Sequence, residues 1–183
     1  DMFSKADADY AGGLTGSCDP GASYECCYAV CNEISATNYV GGLVGFVDYS
    51  SPFVNSYAIC GEIAATSYVG GLVGCINGMC VVETCYAVSN VVGNSNVGAL
   101  VGYNNGNVSN CFTTGGSQMG GVNVSDVSQF FGPNGYGYKE KNYLLTNGFA
   151  SEIREIAWSY MDWFNETIWK LNDDSLPTLV KTN

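Results

Sequence analysis

Nine cysteines and 17 acidic residues are the groups in this chain with chemistry to offer, and no histidine accompanies them. Without His there is no Ser-His-Asp or Cys-His pair, no HExxH zinc helix and no imidazole general base. Cys26 and Cys27 are adjacent, and no CxxC pair recurs to frame a zinc site. The densest acidic spots are Asp7-Ala8-Asp9 and Asp173-Asp174. Calcium would suit such oxygens, but no Asp-x-Asp-x-Asp-Gly loop is present, so they read as solvated turns. Paired carboxylates could serve glycoside cleavage. Glu33, Glu62 and Glu83 recur with a repeat, however, and read as a stacked surface column. No catalytic, cofactor-binding or metal residue is assigned, and no cofactor is expected.

The chain that must position these groups has 183 residues, six of them Lys or Arg, and a formal charge of −11. That balance argues against nucleic-acid binding, which needs clustered cations. No apolar run approaches the ~20 residues required to cross a bilayer, so no membrane insertion of this segment is expected. Hydrophobic residues make up 46 %, enough for a core, while charged residues make up only 13 %. Glycine (24) and tyrosine (13) are abundant, which suits many turns and uncharged faces better than a helical bundle.

The organising feature is a repeat. Val40-Gly41-Gly42-Leu43-Val44-Gly45 recurs unchanged as Val69-Gly70-Gly71-Leu72-Val73-Gly74, then as Val97-Gly98-Ala99-Leu100-Val101-Gly102. An earlier copy reads Ala11-Gly12-Gly13-Leu14-Thr15-Gly16. The leading glycines Gly12, Gly41, Gly70 and Gly98 stand 29, 29 and 28 residues apart. A second block keeps step: Cys27-Tyr28-Ala29-Val30-Cys31, Ser56-Tyr57-Ala58-Ile59-Cys60, Cys85-Tyr86-Ala87-Val88-Ser89, and the looser Cys111-Phe112-Thr113-Thr114-Gly115. The stretches are short, β-branched and aromatic, and separated by signals such as Asn77-Gly78 and Asn94-Ser95.

A unit this small cannot bury an apolar face alone, so it stacks on its neighbours. The expected fold is all-β: a repeat β-solenoid, β-helix-like, of about four 28–29-residue coils at residues 1–125, each coil adding ~4.8 Å by parallel pairing. A small mixed cap containing a short helix is expected at 126–183. Equivalent residues then form columns. Period-2 alternation places three of them inside: Tyr24, Phe53, Val82 and Val108; Tyr28, Tyr57, Tyr86 and Phe112; and Val30, Ile59 and Val88. Glu25 and Glu83 fall outside, and Cys26, Asn55, Thr84 and Asn110 form a small polar column. Leu14, Leu43, Leu72 and Leu100 should also share a buried column. Tyr39, Tyr68, Tyr103, Tyr136 and Tyr138 are the aromatic residues left for the surface.

Gly-Gly-Leu-Val-Gly followed by Val54-Asn55-Ser56-Tyr57-Ala58 resembles the GLUG-motif repeat over roughly residues 8 to 115. Departures are Ala99 for Gly, Thr15 for Val, and the frequent Cys. GLUG repeats occur in bacterial surface and adhesin-like proteins and in non-catalytic regions of IgA-specific metallopeptidases. The resemblance implies a secreted or cell-surface, non-enzymatic segment of a larger bacterial protein, with further repeats or domains N-terminal to it. Its partner would be a host protein or a glycan. The alternatives are a polysaccharide-active β-helix enzyme, disfavoured by the missing His and few cations, and a ligand-free structural stalk.

From Asp126 the repeat fades. A helix is expected at Ser151–Met161, with Ser151 as N-cap and Ile153, Ile156, Ala157 and Tyr160 on one face. Trp163, Trp169 and Leu179 should close the last coil near Phe112, covering open strand edges. Among the cysteines, Cys31 and Cys60 share a column on neighbouring coils, as do Cys85 and Cys111. Their ~4.8 Å separation falls within disulfide range, but in-register columns point both Cβ atoms the same way. The expectation is that most of the nine stay free thiols, with Cys31–Cys60 the pair best placed to be the exception.

Overall fold

The computed structural model describes residues 4–5, 9–48, 50–109, 111–114, 118–119, 122–123, 167–170 and 178–180. Within them the chain is all-β, and its repeats stack as a β-solenoid of parallel strands. The expected helix at 151–161, Trp163, Asn110, Tyr136 and Tyr138 lie outside the described residues.

Each full repeat contributes four strands. After β1 (Ser4–Lys5), the first repeat supplies β2 (Ala11–Gly12), β3 (Thr15–Ser17), β4 (Tyr24–Glu25) and β5 (Tyr28–Ser35). The second supplies β6 (Asn38–Gly41), β7 (Val44–Val47), β8 (Phe53–Val54) and β9 (Tyr57–Ala64). The third supplies β10 (Ser67–Gly70), β11 (Val73–Ile76), β12 (Val81–Glu83) and β13 (Tyr86–Val92). The fourth gives β14 (Ser95–Gly98), β15 (Val101–Asn104), β16 (Asn107–Ser109) and β17 (Phe112–Thr114). Like strands pair with like: three four-stranded sheets run β2-β6-β10-β14, β3-β7-β11-β15 and β4-β8-β12-β16, and a fifth strand, β1, extends the sheet β1-β5-β9-β13-β17. The register follows the repeat, with Tyr28 opposite Tyr57, Tyr57 opposite Tyr86, and Tyr86 opposite Phe112.

The main core runs along the axis. Leu43, Leu72 and Leu100 are fully buried beside Phe53, Val82 and the alanines Ala29, Ala58 and Ala87. A second cluster holds Val40, Val69, Ile34, Ile63 and Cys60. Close approach explains the second glycine of each block. A Cβ on Gly13, Gly42 or Gly71 would stand 2.6, 2.8 or 3.0 Å from the Cβ of Ala29, Ala58 or Ala87. In the fourth repeat that position is Ala99, and the facing alanine is replaced by Thr113, whose hydroxyl donates to the Ala99 carbonyl at 2.9 Å.

Two expectations about faces need correction. Tyr28, Tyr57 and Tyr86 stack in register, with ring centroids 5.2 and 4.8 Å apart, but their neighbours Ala29, Ala58 and Ala87 fill the core. Adjacent strand residues point to opposite sides, so the tyrosines and Val30 lie on the far face. The cause is a corner between the Tyr24 and Tyr28 columns. Cys26, Asn55 and Thr84 adopt φ of 53, 51 and 52°, the left-handed region, so alternation counted through them loses its phase. The small polar column is therefore a bend. Glu83 also leaves the supposed Glu column: it pairs with Val54 and Ser109, while Glu33 stacks on Glu62 and the next member is Asn90.

Position along the stack then sets burial. Tyr57 and Tyr86 are buried, whereas Tyr28 is 54 % exposed; Leu14 is 46 % exposed while the rest of its column is sealed. Both exposed members belong to the first repeat, which has little stacked on its N-terminal side among the described residues.

The chain divides into two units, Asp1–Tyr138 and Lys139–Asn183. In the first, β18 (Gln118–Met119) and β19 (Val122–Asn123) form an antiparallel pair. In the second, β20 (Trp169–Lys170) pairs antiparallel with β21 (Thr178–Leu179), placing buried Trp169 opposite Leu179.

Candidate functional site: an aromatic corner

The side chains assembled on the surface with the most defined geometry are aromatic. Tyr10 stacks on Tyr39 at 4.9 Å between centroids, and Tyr39 on Tyr68 at 4.6 Å, with interplanar angles of 19 and 10°. Phe46 closes the side edge-on to Tyr39 at 5.3 Å, and Tyr103 turns its ring 80° to Tyr68 at 6.0 Å. Tyr10 and Tyr103 are exposed, and Tyr39, Phe46 and Tyr68 half-buried. Each tyrosine joins an apolar ring to a polar hydroxyl, so the cluster combines the two kinds of surface.

The backbone holds this strip under strain. Tyr39 and Tyr68 lie in the left-handed region, at φ 46 and 59°, and their equivalent in the next coil is Asn96 at 50°. Asn tolerates this conformation through its short polar side chain, whereas a bulky tyrosine pays on the order of 1–2 kcal/mol. The third glycine of the motif makes the corner feasible: a Cβ on Gly74 would come within 2.7 Å of the Tyr68 carbonyl, and one on Gly102 within 2.7 Å of the Asn96 carbonyl. Burial pushes the Tyr39 hydroxyl's pKa up, with Tyr68, Cys75, Tyr10 and Asp9 adding repulsion, so the hydroxyl stays a donor at neutral pH.

The thiols have a different role. Cys31 and Cys60 form a disulfide across neighbouring coils, Cα–Cα 4.7 Å, and Cys18, Cys26, Cys27, Cys75, Cys80, Cys85 and Cys111 are free. One column carries Cys27, Ser56, Cys85 and Cys111, and each side chain donates to the carbonyl two residues earlier, at 3.4, 2.9, 3.2 and 3.0 Å. The Val54, Glu83 and Ser109 carbonyls also accept a backbone N–H from the coil before, so there the side chain adds a second hydrogen bond. Cys80 donates to the Ser51 carbonyl at 2.7 Å. Burial raises the pKa of Cys75 and of Cys80 to about 12, with Asp48 adding to the first and Cys18 and Cys85 to the second. Such thiols are inert, because thiolate is the nucleophile.

The acids are bridged along the axis by a recurring contact. Asn38 donates to Asp9 at 3.4 Å, Asn77 to Asp48 at 3.4 Å, and Asn90 to Glu62 at 3.2 Å, each amide reaching an acid one coil earlier. Among the described residues no three His, Cys, Asp or Glu side chains gather as a metal site.

Of the residues singled out from sequence, Leu43, Leu72 and Leu100 line the core, and Tyr28, Tyr57 and Tyr86 form a second ladder on β5, β9 and β13. Phe112 continues that register in its backbone, Leu14 caps the Leu column in the open, and Trp169 and Leu179 pair in their own hairpin. The Tyr10–Tyr39–Phe46 cluster was not anticipated as a unit; the spacing of Tyr10, Tyr39 and Tyr68, 29 residues each, was its available signal. Comparison of the chain with protein-family models, with curated proteins and with solved structures finds no match.

Proposed function

We infer that this chain is a non-enzymatic, GLUG-like repeat module of a larger bacterial surface protein, adhesin-like, which offers its aromatic corner to a host protein or a glycan. The observation that carries this reading is the pair of tyrosines held in left-handed corners, Tyr39 and Tyr68, where the same fold accepts Asn96. A strained, half-exposed ring where a relaxed residue fits suggests a use for the ring itself. Tyrosine supplies a rigid apolar body with a polar tip at small entropic cost, the property that makes it common at recognition surfaces.

The test is a glycan array and a panel of immobilised extracellular-matrix proteins, probed with the purified chain and with Tyr68→Asn. Saturable binding by the wild type that falls about tenfold or more in the variant supports the reading. Binding that ignores Y68N removes the corner from it, and no binding on either surface leaves a stalk.

A further inference from the structure

Asp19-Pro20 is the single Asp-Pro pair in the chain. It opens a tight turn between β3 and β4, in which the Ala22 N–H donates to the Asp19 carbonyl at 3.2 Å and Gly21 takes φ 78°. Proline presets the second position of such a turn and glycine accepts the positive φ of the third, the pattern of type II. Asp19, Pro20 and Gly21 are exposed. The exposure belongs to this corner of the coil and not to one end of the stack, because the equivalent residues Asn77 and Asn105 are also exposed.

The Asp19 carbonyl has a second donor. The hydroxyl of Ser51, a fully buried residue of the next coil, reaches the same oxygen at 3.4 Å. The Ser51 carbonyl accepts the Cys80 thiol at 2.7 Å, which ties this backbone to the third coil. Both flanks of the turn are anchored as well: the Cys18 N–H donates to the Phe46 carbonyl at 3.1 Å, and the Tyr24 N–H to the Pro52 carbonyl at 2.9 Å. Two fixed donors on one carbonyl oxygen stabilise the oxyanion that forms when its carbon is attacked. A nucleophile is covalently at hand, since the Asp19 carboxylate closes a five-membered ring on its own main-chain carbonyl.

We propose that the Asp19–Pro20 peptide bond is a self-cleavage site, opened by attack of the Asp19 carboxylate on its own carbonyl carbon. A C–O bond forms, and the negative charge moves to the oxygen held by Ala22 and Ser51. The C–N bond to Pro20 then breaks, its electron pair stays on nitrogen, and a proton from water joins it. Proline leaves as a secondary amine, a strong base that keeps that proton. The cyclic anhydride left on Asp19 takes up one water and opens to two carboxyls. The equivalent pairs Asp48-Tyr49, Asn77-Gly78 and Asn105-Gly106 all lack the proline, and two of them lack the acid.

Scission leaves the pieces together, because β2 and β3 stay paired with β6 and β7. The site severs the covalent chain without dismantling the stack, and it does not depend on the aromatic corner. Acid speeds the step, since the leaving nitrogen needs a proton. Of the ionisable groups around Asp19, Cys18 and Tyr24 stay neutral in acid, as burial raises both pKa values, and Asp48 is the acid that shares its column.

The test incubates the purified whole chain at pH 5 and at pH 7 and follows it by denaturing gel, fragment mass and N-terminal sequencing. One fragment should end at Asp19 and the other begin Pro20-Gly21-Ala22. Their rate of formation should not depend on protein concentration, and should be about tenfold or more faster at pH 5. Asp19→Ala, a surface change, should abolish cleavage. Ser51→Ala should slow it about tenfold, less than the ~10²–10³ of a full oxyanion donor because the 3.4 Å bond is long. Unfolding in urea at pH 5 should also slow it about tenfold or more, as the unfolded turn loses both donors. This comparison decides the matter where S51A alters the circular dichroism. Equal rates in urea, persistence in D19A, or a chain still intact after about a month at pH 5 overturns the proposal.

Discussion

Gly42 lies directly against Ala58: a Cβ built on the glycine would sit 2.8 Å from the alanine's own. The contact repeats at Gly13 and Ala29 and at Gly71 and Ala87, so it sets how closely the Gly-Gly-Leu-Val-Gly corner approaches the tyrosine-bearing strand. Gly42→Ala should destabilise the fold by about 1–3 kcal/mol, the usual range for overpacking a tight interior. Adding Ala58→Gly should not restore it, because the Gly71 carbonyl also stands in the path of that Cβ. Urea denaturation of the single and double variants checks this, and full recovery in the double variant would contradict it.

Ser89 stands at the register shift between β13 and β9, at the repeat position of Cys31 and Cys60, and its hydroxyl is buried without a hydrogen-bond partner. An unsatisfied buried hydroxyl carries a desolvation penalty of about 1–3 kcal/mol. Ser89→Ala should therefore hold stability level or raise it by roughly 1 kcal/mol. A fall in the denaturation midpoint would show that the hydroxyl is bonded in solution.

The thiol inventory is directly countable. Alkylation of the denatured, unreduced chain should label seven cysteines, and prior reduction should raise the number to nine. In the folded chain at pH 8, exposed Cys26 should react first, while Cys75 and Cys80 stay protected by burial. The disulfide spans 29 residues, and replacing both partners with Ser should cost about 3–4 kcal/mol by loop entropy.

Alkali should weaken the fold in a defined window. The Cys75 and Cys80 thiols ionise near 9.0 when unfolded and at about 12 when folded, and Tyr24 moves from 10.0 to about 12. Desolvation is the main cause in all three. A raised pKa means the folded state holds its proton longer, so its stabilising contribution is complete below pH 9 and disappears as pH rises towards 12. Denaturation midpoints should fall steadily across pH 9–12, and C75A should shrink the slope.

The stacking of coils was legible because parallel in-register pairing sets each residue beside its own counterpart. A phase of 29 residues therefore names the neighbours, Tyr57 beside Tyr86 and Cys31 beside Cys60, before any coordinates. What could not be read was where the chain turns between stretches. Left-handed bends are signalled by Gly or Asn, yet four of the six non-glycine residues in that region among the described residues are Cys26, Thr84, Tyr39 and Tyr68. Asn55 and Asn96 carried the usual mark. Counting alternation through the bend at Asn55 assigned the core to tyrosines when alanines fill it. The aromatic corner was obscured similarly, since Phe46 joins it from a second strand at a different place in the repeat.

The Cys31–Cys60 bond has a mechanical consequence. Each repeat, drawn straight at about 3.4 Å per residue, is roughly 100 Å of contour wound into one layer about 4.8 Å thick. Tension along the chain would peel such layers off one by one, each release lengthening the tether about twentyfold over its folded thickness. Between the first two layers the bond shunts the load past the residues that separate Cys31 from Cys60. That layer stays wound under pull for as long as the sulfurs stay joined, and a reducing environment would let it pay out its full length.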